Sequence, residues 1–318
     1  LQGDWSSDVC SSDLKHENAL YDLAYCLELT GELENSILYY NKFINEDPYS
    51  EYAWFNLGNI YYKLKNYNKS IEAFGFALAI DDEYSSAYIN IGEAYLKIEK
   101  FDLAKDNFYK SLELDGPSPD IYFALGKSYH LLEDYTTSIQ YFHKSIKIDQ
   151  FFKEAYFWLG KSLVSIDKWF ESIHYFKKAY KLDNDNIEYI KSLAYVEFKV
   201  GNMVSSIDLY KKALELDPSD FNLSLEFSLI YYESGETEKA IEIIDDAIEN
   251  SPDESLLYYR LVIYLMDTGK YKESINILET ALSLNFNNHK ALFEFVPNFE
   301  TQSALIRVIN QYRKNNLL

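Results

Sequence analysis

This sequence predicts an all-α fold: a right-handed superhelical solenoid of eight helix-turn-helix repeats, closed by a C-terminal helix pair. Three observations carry that reading. Gly58, Gly92, Gly126 and Gly160 recur every 34 residues. Within each interval, apolar residues return twice at helical spacing. Only 6 prolines and 11 glycines occur in 318 residues, and no stretch is rich enough in Pro, Gly or Ser to read as a linker. A fixed period of this length marks stacked units that bury themselves against their neighbours. One continuous array is therefore expected, where length alone would suggest about two domains.

Residues 1–16 form a leader without apolar period. Residues 4–14 resemble the conceptual translation of a sequencing adaptor, so Trp5 and Cys10 carry no functional weight and the natural N-terminus, with any signal peptide, is expected upstream. No N-terminal capping unit is legible. The frame then gives units 17–50, 51–84, 85–118, 119–152, 153–186, 187–220, 221–254 and 255–288. Each first helix carries a large residue at the fourth place (Leu20, Trp54, Tyr88, Tyr122, Tyr156, Ile190, Tyr258) and a small one at the eighth. The small ones are Ala24, the four glycines, Ala194 and Ser228, with Val262 the exception. Each second helix reads small, large, small, as in Ser70, Phe74, Ala77 and Ala104, Phe108, Ser111. Small residues at those places allow two helices to approach closely.

Turns separate the helices. Thr30-Gly31, Val200-Gly201, Ser234-Gly235 and Thr268-Gly269 suit the left-handed cap that ends a helix. Units close on an aspartate, as at Asp47, Asp81, Asp115, Asp183 and Asp217, but proline at the thirty-second place survives only as Pro48, Pro218 and Pro252. Its loss elsewhere is expected to soften the boundary between units. Residues 289–318 continue the frame as a degenerate ninth unit, with Leu292, Phe295, Val296, Leu305, Val308 and Tyr312 at core places. Pro297 interrupts its first helix, and Arg307, Arg313 and Lys314 give the cap a wet outer face.

The pattern Trp54-x-x-Leu57-Gly58-x-x-Tyr61, followed by Phe74, resembles the tetratricopeptide repeat, and the resemblance covers residues 17–288. It implies a non-enzymatic scaffold whose first helices line a concave groove for a protein or peptide ligand. Carried onto this chain, the groove places hold Asn56, Asn59, Asn90, Phe123, Lys127, His130, Phe157, Trp158, Lys161, Lys191 and Tyr195. Rings there offer contact area at low entropy cost, and cations orient polar ligand groups. The clamp by which some members grip chaperone C-termini is absent, because Phe55, Asp120 and Ala124 stand where its cations belong. An asparagine ladder is present only as Asn56 and Asn90.

Charge narrows the expectation. The net charge is -21, and units one (-6) and seven (-9) hold most of the excess, whereas unit five is +1 and unit four -1. A relatively positive groove centre between acidic ends favours a ligand with acidic side chains or a C-terminal carboxylate, received by Lys127, Lys161 and Lys191 with His130 and Trp158 beside it. The same acidity, with only Arg260, Arg307 and Arg313 as arginines, argues against nucleic acid. No apolar run is long enough to span a membrane. The five histidines form no metal-ligand spacing, and no phosphate-binding or nucleophile motif occurs, so no metal, cofactor or catalytic residue is expected. Lys-rich, Arg-poor, Tyr- and Asn-rich usage points to a bacterial, AT-rich genome, and two cysteines, too few for a disulfide framework, suit a reducing, cytoplasmic location. Two further readings follow from an upstream N-terminus: the targeting part of a longer enzyme or signalling protein, or an envelope or periplasmic lipoprotein.

Overall fold

The computed structural model of the chain describes residues 17–295 and 303–316. The leader, Val296 and Pro297 lie outside them. Eighteen α-helices and one 3-10 turn occur among the described residues, and no strand. The chain divides into two compact units, one reaching Lys168 and the other beginning at Trp169, so the division falls inside the fifth repeat.

The first unit holds α1 (Glu17–Leu29), α2 (Leu33–Glu46), α3 (Glu51–Lys63), α4 (Tyr67–Ile80), α5 (Ser85–Lys97), α6 (Phe101–Asp115), α7 (Pro119–Leu131), α8 (Tyr135–Ile148) and α9 (Lys153–Val164). The second holds α10 (Trp169–Leu182), α11 (Ile187–Lys199), α12 (Met203–Leu216), α13 (Phe221–Glu233), α14 (Thr237–Asn250), α15 (Ser255–Asp267), α16 (Tyr271–Leu284), the 3-10 turn Phe286–His289, α17 (Lys290–Phe295) and α18 (Ser303–Asn316). The eight first helices begin at Glu17, Glu51, Ser85, Pro119, Lys153, Ile187, Phe221 and Ser255, the same residues at which the 34-residue frame starts.

Within each unit, helices pack on their sequence neighbours, with a few contacts between successive first helices such as α3 and α5. Such local stacking makes stability a sum over neighbours. Close approach is built from the eighth and twenty-fourth places. A Cβ on Gly58 would lie 2.6 Å from Phe74, one on Gly92 2.5 Å from Phe108, and one on Gly126 2.7 Å from Phe142. All three rings are fully buried, and each contributes about 1.5–3 kcal/mol by leaving water. Serine at the twentieth place adds a bond that its size alone does not announce. The hydroxyls of Ser36, Ser70, Ser138 and Ser274 donate to the carbonyls of Ala24 (2.6 Å), Gly58 (2.9 Å), Gly126 (2.8 Å) and Val262 (3.2 Å), tying second helix to first.

The turns between paired helices share one geometry. In all eight the fifteenth place is left-handed: Gly31, Gly201, Gly235 and Gly269, but also Lys65, Glu99, Glu133 and Asp167, at φ 59° to 62°. The next amide then bonds back five residues, as Asn66 N to Tyr61 O (2.8 Å) and Asp134 N to Tyr129 O (2.9 Å). This is the Schellman closure, which glycine adopts without strain and other residues do not. The boundaries between repeats do not depend on proline. At Asp47, which precedes a proline, and equally at Asp81 and Asp149, which do not, the carboxylate accepts the amide two residues on, at 3.1, 3.0 and 2.8 Å. The expected softening is offset by this local bond.

At the C-terminal end, Leu292, Leu305 and Ile309 are buried. Ile309 takes the inward position assigned above to Val308, which is half-buried. Phe286 stacks on Tyr312 (centroids 6.0 Å apart) and lies 5.6 Å below the Arg313 guanidinium, while Arg307, Arg313 and Lys314 are exposed. A short helix pair thus covers the last apolar edge.

Candidate functional site

The candidate surface is the face that the first helices turn away from their partners, and within the first compact unit it has two polar centres. The lower one joins α1, α3 and α5. Asn56 Nδ2 donates to the hydroxyls of Tyr21 (2.8 Å) and Tyr40 (3.1 Å), so its amide hydrogens are used inside the protein. Asn90 Nδ2 donates to Asn59 Oδ1 at 2.8 Å. These two amides line a pocket of about 240 Å³ together with Tyr62, Glu93 and the Glu28–Lys63 ion pair (2.7 Å). Burial, and then the Glu93 carboxylate, push the Tyr62 hydroxyl up to about 12. Through these bonds Asn56 and Asn90 join repeats to one another.

The upper centre joins α7 and α9. Trp158 is half-buried and stands edge-on to His130, ring centroids 5.1 Å apart and planes at 83°. The ammonium of Lys161 lies 4.8 Å from the indole centroid and that of Lys127 5.7 Å. Among the described residues neither lysine has an ion-pair partner. His130 Nδ1 is 2.9 Å from Ser162 Oγ, which also contacts Ser138 Oγ (3.0 Å) and donates to the Trp158 carbonyl (3.0 Å). Burial, and then the positive charge of Lys161, lower the His130 pKa to about 4, so the ring is neutral near pH 7. Ser162 is the residue that the sequence reading missed; a serine on a first helix gives no signal until the helices are docked.

Two aromatic residues expected on this surface support it from below. Phe157 is 6% exposed, and Phe123 packs between Phe142 and Phe152, at 5.8 and 5.0 Å. Their apolar surface is spent on neighbouring helices, as place alone could not reveal.

Lys191 and Tyr195 belong to the second compact unit. Lys191 Nζ is held by Glu226 (3.1 Å) and Glu188 (3.6 Å). Burial works against its charge, but the Glu226 bond and the nearby carboxylates outweigh it and raise its pKa. Tyr195 is 40% exposed and stands edge-on to Trp169 at 6.1 Å. With Lys191 it rims a pocket of about 290 Å³ between α11, α12 and α13.

Among the described residues there is no group of three or more His, Cys, Asp or Glu placed to hold a metal, and no helix long and apolar enough to cross a membrane. Among the described residues Cys26 is exposed and forms no disulfide.

Family models for the tetratricopeptide repeat match residues 18–50, 51–84, 85–117, 119–152, 197–262 and 256–288. Comparison with curated proteins gives no match. Among solved structures, the C-terminal part of a TPR repeat-containing protein from Cytophaga hutchinsonii is 15% identical over 76% of this chain and 99% of its own, with a TM-score of 0.59. The APC/C hetero-tetramer Cut9-Hcn1 is 16% identical over 92% of this chain and 57% of its own, with a TM-score of 0.54. The MamA fragment from residue 41 of Desulfovibrio magneticus RS-1 is 17% identical over 54% and 97%, with a TM-score of 0.52. At these identities the likeness is one of fold.

Proposed function

The chain belongs to the tetratricopeptide repeat family of protein-interaction scaffolds, and from that premise we propose that it captures an acidic peptide segment on the α7–α9 face of its first unit. The observation that carries this reading is the pair of ammonium groups, 4.8 and 5.7 Å from one indole centroid, with no carboxylate of their own. In a chain of net charge -21, Lys63, Lys191 and Lys199 on other first helices each find an acid. Two like charges over one ring repel each other, and an incoming carboxylate relieves that repulsion while bonding to both.

Trp158 supplies the apolar wall against which the ligand backbone lies, and the neutral His130 keeps that wall in place without adding a third charge. Lys191 makes no part of this contact, since Glu226 and Glu188 already neutralise it. The alternative readings, a targeting part of a larger enzyme or an envelope lipoprotein, would use the same surface.

The test is a fluorescence-anisotropy screen of the full chain against dye-labelled octapeptides in solution that differ only in the number and position of Asp, Glu and a free C-terminal carboxylate. Acidic peptides are expected to bind, and Lys161→Glu to weaken them roughly tenfold or more, the scale of one charge-assisted hydrogen bond. Raised salt should weaken them further. Binding that survives both Lys161→Glu and Trp158→Ala would remove the ligand from this face.

A further inference from the structure

The second helices carry a charge pattern that the peptide contact does not use. In each repeat the eighteenth, twenty-second, twenty-fifth, twenty-sixth and twenty-ninth places fall on one side of the second helix. On α10 they hold Phe170, His174, Lys177, Lys178 and Lys181, and on α14 they hold Glu238, Glu242, Asp245, Asp246 and Glu249. All ten residues are exposed. Both helices belong to the second compact unit, which therefore bears a basic stripe and, two repeats further on, an acidic one.

Neither stripe is neutralised within the chain. Lys177 is held by Glu197 (2.6 Å) and Glu238 by Lys270 (3.0 Å). Lys178 and Lys181 on α10, and Glu242, Asp245, Asp246 and Glu249 on α14, have no ion-pair partner among the described residues. On α14 the carboxylates crowd one another: burial, and then Glu273, Asp246 and Glu249, raise the Asp245 pKa although Lys270 is near. In the repeat between, α12 holds two acids against two lysines at the same places, and its Lys212 turns to the Tyr180 hydroxyl (3.2 Å) and the Asn184 carbonyl (2.6 Å). Two repeats of packed helices span about 20 Å, too far for the side chains of α10 and α14 to meet in one chain. Phe170 gives the basic stripe an apolar end. It is 78% exposed, at a place that holds Glu34, Asn68, Asp102 and Thr136 in the four repeats before it.

We propose that the chain associates with a second copy of itself through these stripes, α10 of one copy lying along α14 of the other, with Lys178 and Lys181 set among the four unpaired carboxylates. The Phe170 ring supplies the apolar contact that ion pairs alone lack. Complementarity favours a second copy over an anionic membrane. A lipid surface that attracts α10 repels the rest of a chain of net charge -21, whereas a copy offers five carboxylates at the five places that α10 presents. Because two different faces meet, each contact leaves one α10 and one α14 free, and further copies add at the ends. A few exposed ion pairs and one ring make a weak, transient contact, with a dissociation constant on the order of 0.1 mM at low salt. The contact is independent of the acidic-peptide reading, whose Lys127, Trp158 and Lys161 lie on first helices of the first unit.

The test is sedimentation equilibrium of the full chain between about 5 and 300 µM, in salt of about 0.05 M and about 0.5 M. The weight-average mass should rise with concentration at low salt and return to that of the monomer at high salt. Lys178→Glu with Lys181→Glu, and separately Asp246→Lys with Glu249→Lys, should each weaken association roughly tenfold or more. Mixed in equal amounts, the two double variants should associate again, because each then meets a stripe of opposite sign on the other. Lys161→Glu, which weakens the acidic-peptide contact, should leave the mass as it is; a loss there would place the acidic stripe of the second copy at Trp158 and overturn the α10–α14 contact. A chain that stays monomeric throughout at low salt, association insensitive to both double variants, or a mixture no heavier than its components would each overturn it too. So would flotation with phosphatidylglycerol vesicles that depends on Lys178 and Lys181 in a chain that does not associate with itself.

Discussion

Alanine at position 92 puts a methyl carbon 2.5, 2.7 and 2.9 Å from three carbons of the Phe108 ring, which has no exposed surface. Ordinary contact begins near 3.4 Å, so the ring or the α5–α6 spacing must yield by most of an ångström. Overpacking of that kind costs about 1–3 kcal/mol. Against it stands the helix preference for alanine over glycine, worth about 1 kcal/mol. With three ring atoms inside 3.0 Å, the clash should prevail and Gly92→Ala should lose about 1–2 kcal/mol. Gly75 supplies the control, because it sits on α4, exposed, with nothing within 4 Å of an added Cβ. Gly75→Ala should therefore gain about 0.5–1 kcal/mol from the same preference. Urea unfolding followed by circular dichroism at 222 nm reads both signs, and Phe108→Leu in the Gly92→Ala background should recover at least half of the loss. Equal stabilisation by the two alanines would refute the close approach as the reason for glycine at the eighth place.

Three further outcomes follow from the same geometry. Ser70→Ala and Ser138→Ala each remove a hydroxyl that donates to a carbonyl on the facing helix, and should cost about 1 kcal/mol in the same unfolding assay. Ser206→Ala, at the equivalent place but with a buried hydroxyl that has no partner, should be neutral or stabilising, and a loss as large as the other two would count against the assignment. Lys65→Gly, Glu99→Gly and Glu133→Gly relieve left-handed backbone and should each raise stability by about 0.5–1 kcal/mol, whereas alanine at those positions should not. His130, with a pKa of about 4 when folded against an ordinary 6.5, takes up its proton more readily in the unfolded chain. Its contribution is complete above pH 6.5, falls as the pH drops toward 4 and levels off below. Subtracting the urea midpoints of a His130→Gln variant should expose that slope, and a difference constant from pH 7.5 to 4.5 would exclude it. His143, also lowered by burial, leaves a smaller slope in the variant.

The helices were legible because their cause is periodic. Glycine at the eighth place and phenylalanine at the twenty-fourth announce a close contact through size alone, and the frame drawn from them meets all eight first-helix starts. The left-handed places at Lys65, Glu99 and Glu133 were illegible, because a surrounding motif imposes that geometry on residues that do not favour it. The serines were read for their volume, yet they also donate. At the candidate surface, place in the repeat told which face a side chain is on. It did not tell what that side chain would meet, because its neighbour lies about one period away in sequence. Hence Asn56 proved bonded to Tyr21 and Tyr40, and Phe157 buried, whereas Lys127 and Lys161 lie 5.7 and 4.8 Å from the Trp158 ring.

The polar bonds that join successive repeats make the units unequal as parts. Asn56 serves Tyr40, Asn90 serves Asn59, and Tyr109 serves Tyr129 and Tyr141 (2.8 Å each), so these three joints have different keys. Excising residues 51–84 brings Asn90 to the place that Asn56 vacates, with the same amide facing Tyr21 and Tyr40. Excising residues 85–118 instead brings Ala124 to Asn59 and leaves Gly75 where Tyr109 met its two tyrosines. The first shortened chain keeps a matched joint and the second does not. Gain or loss of a repeat is therefore tolerated at some joints and penalised at others, and the order of the units is written in their edges rather than in the repeat that they share.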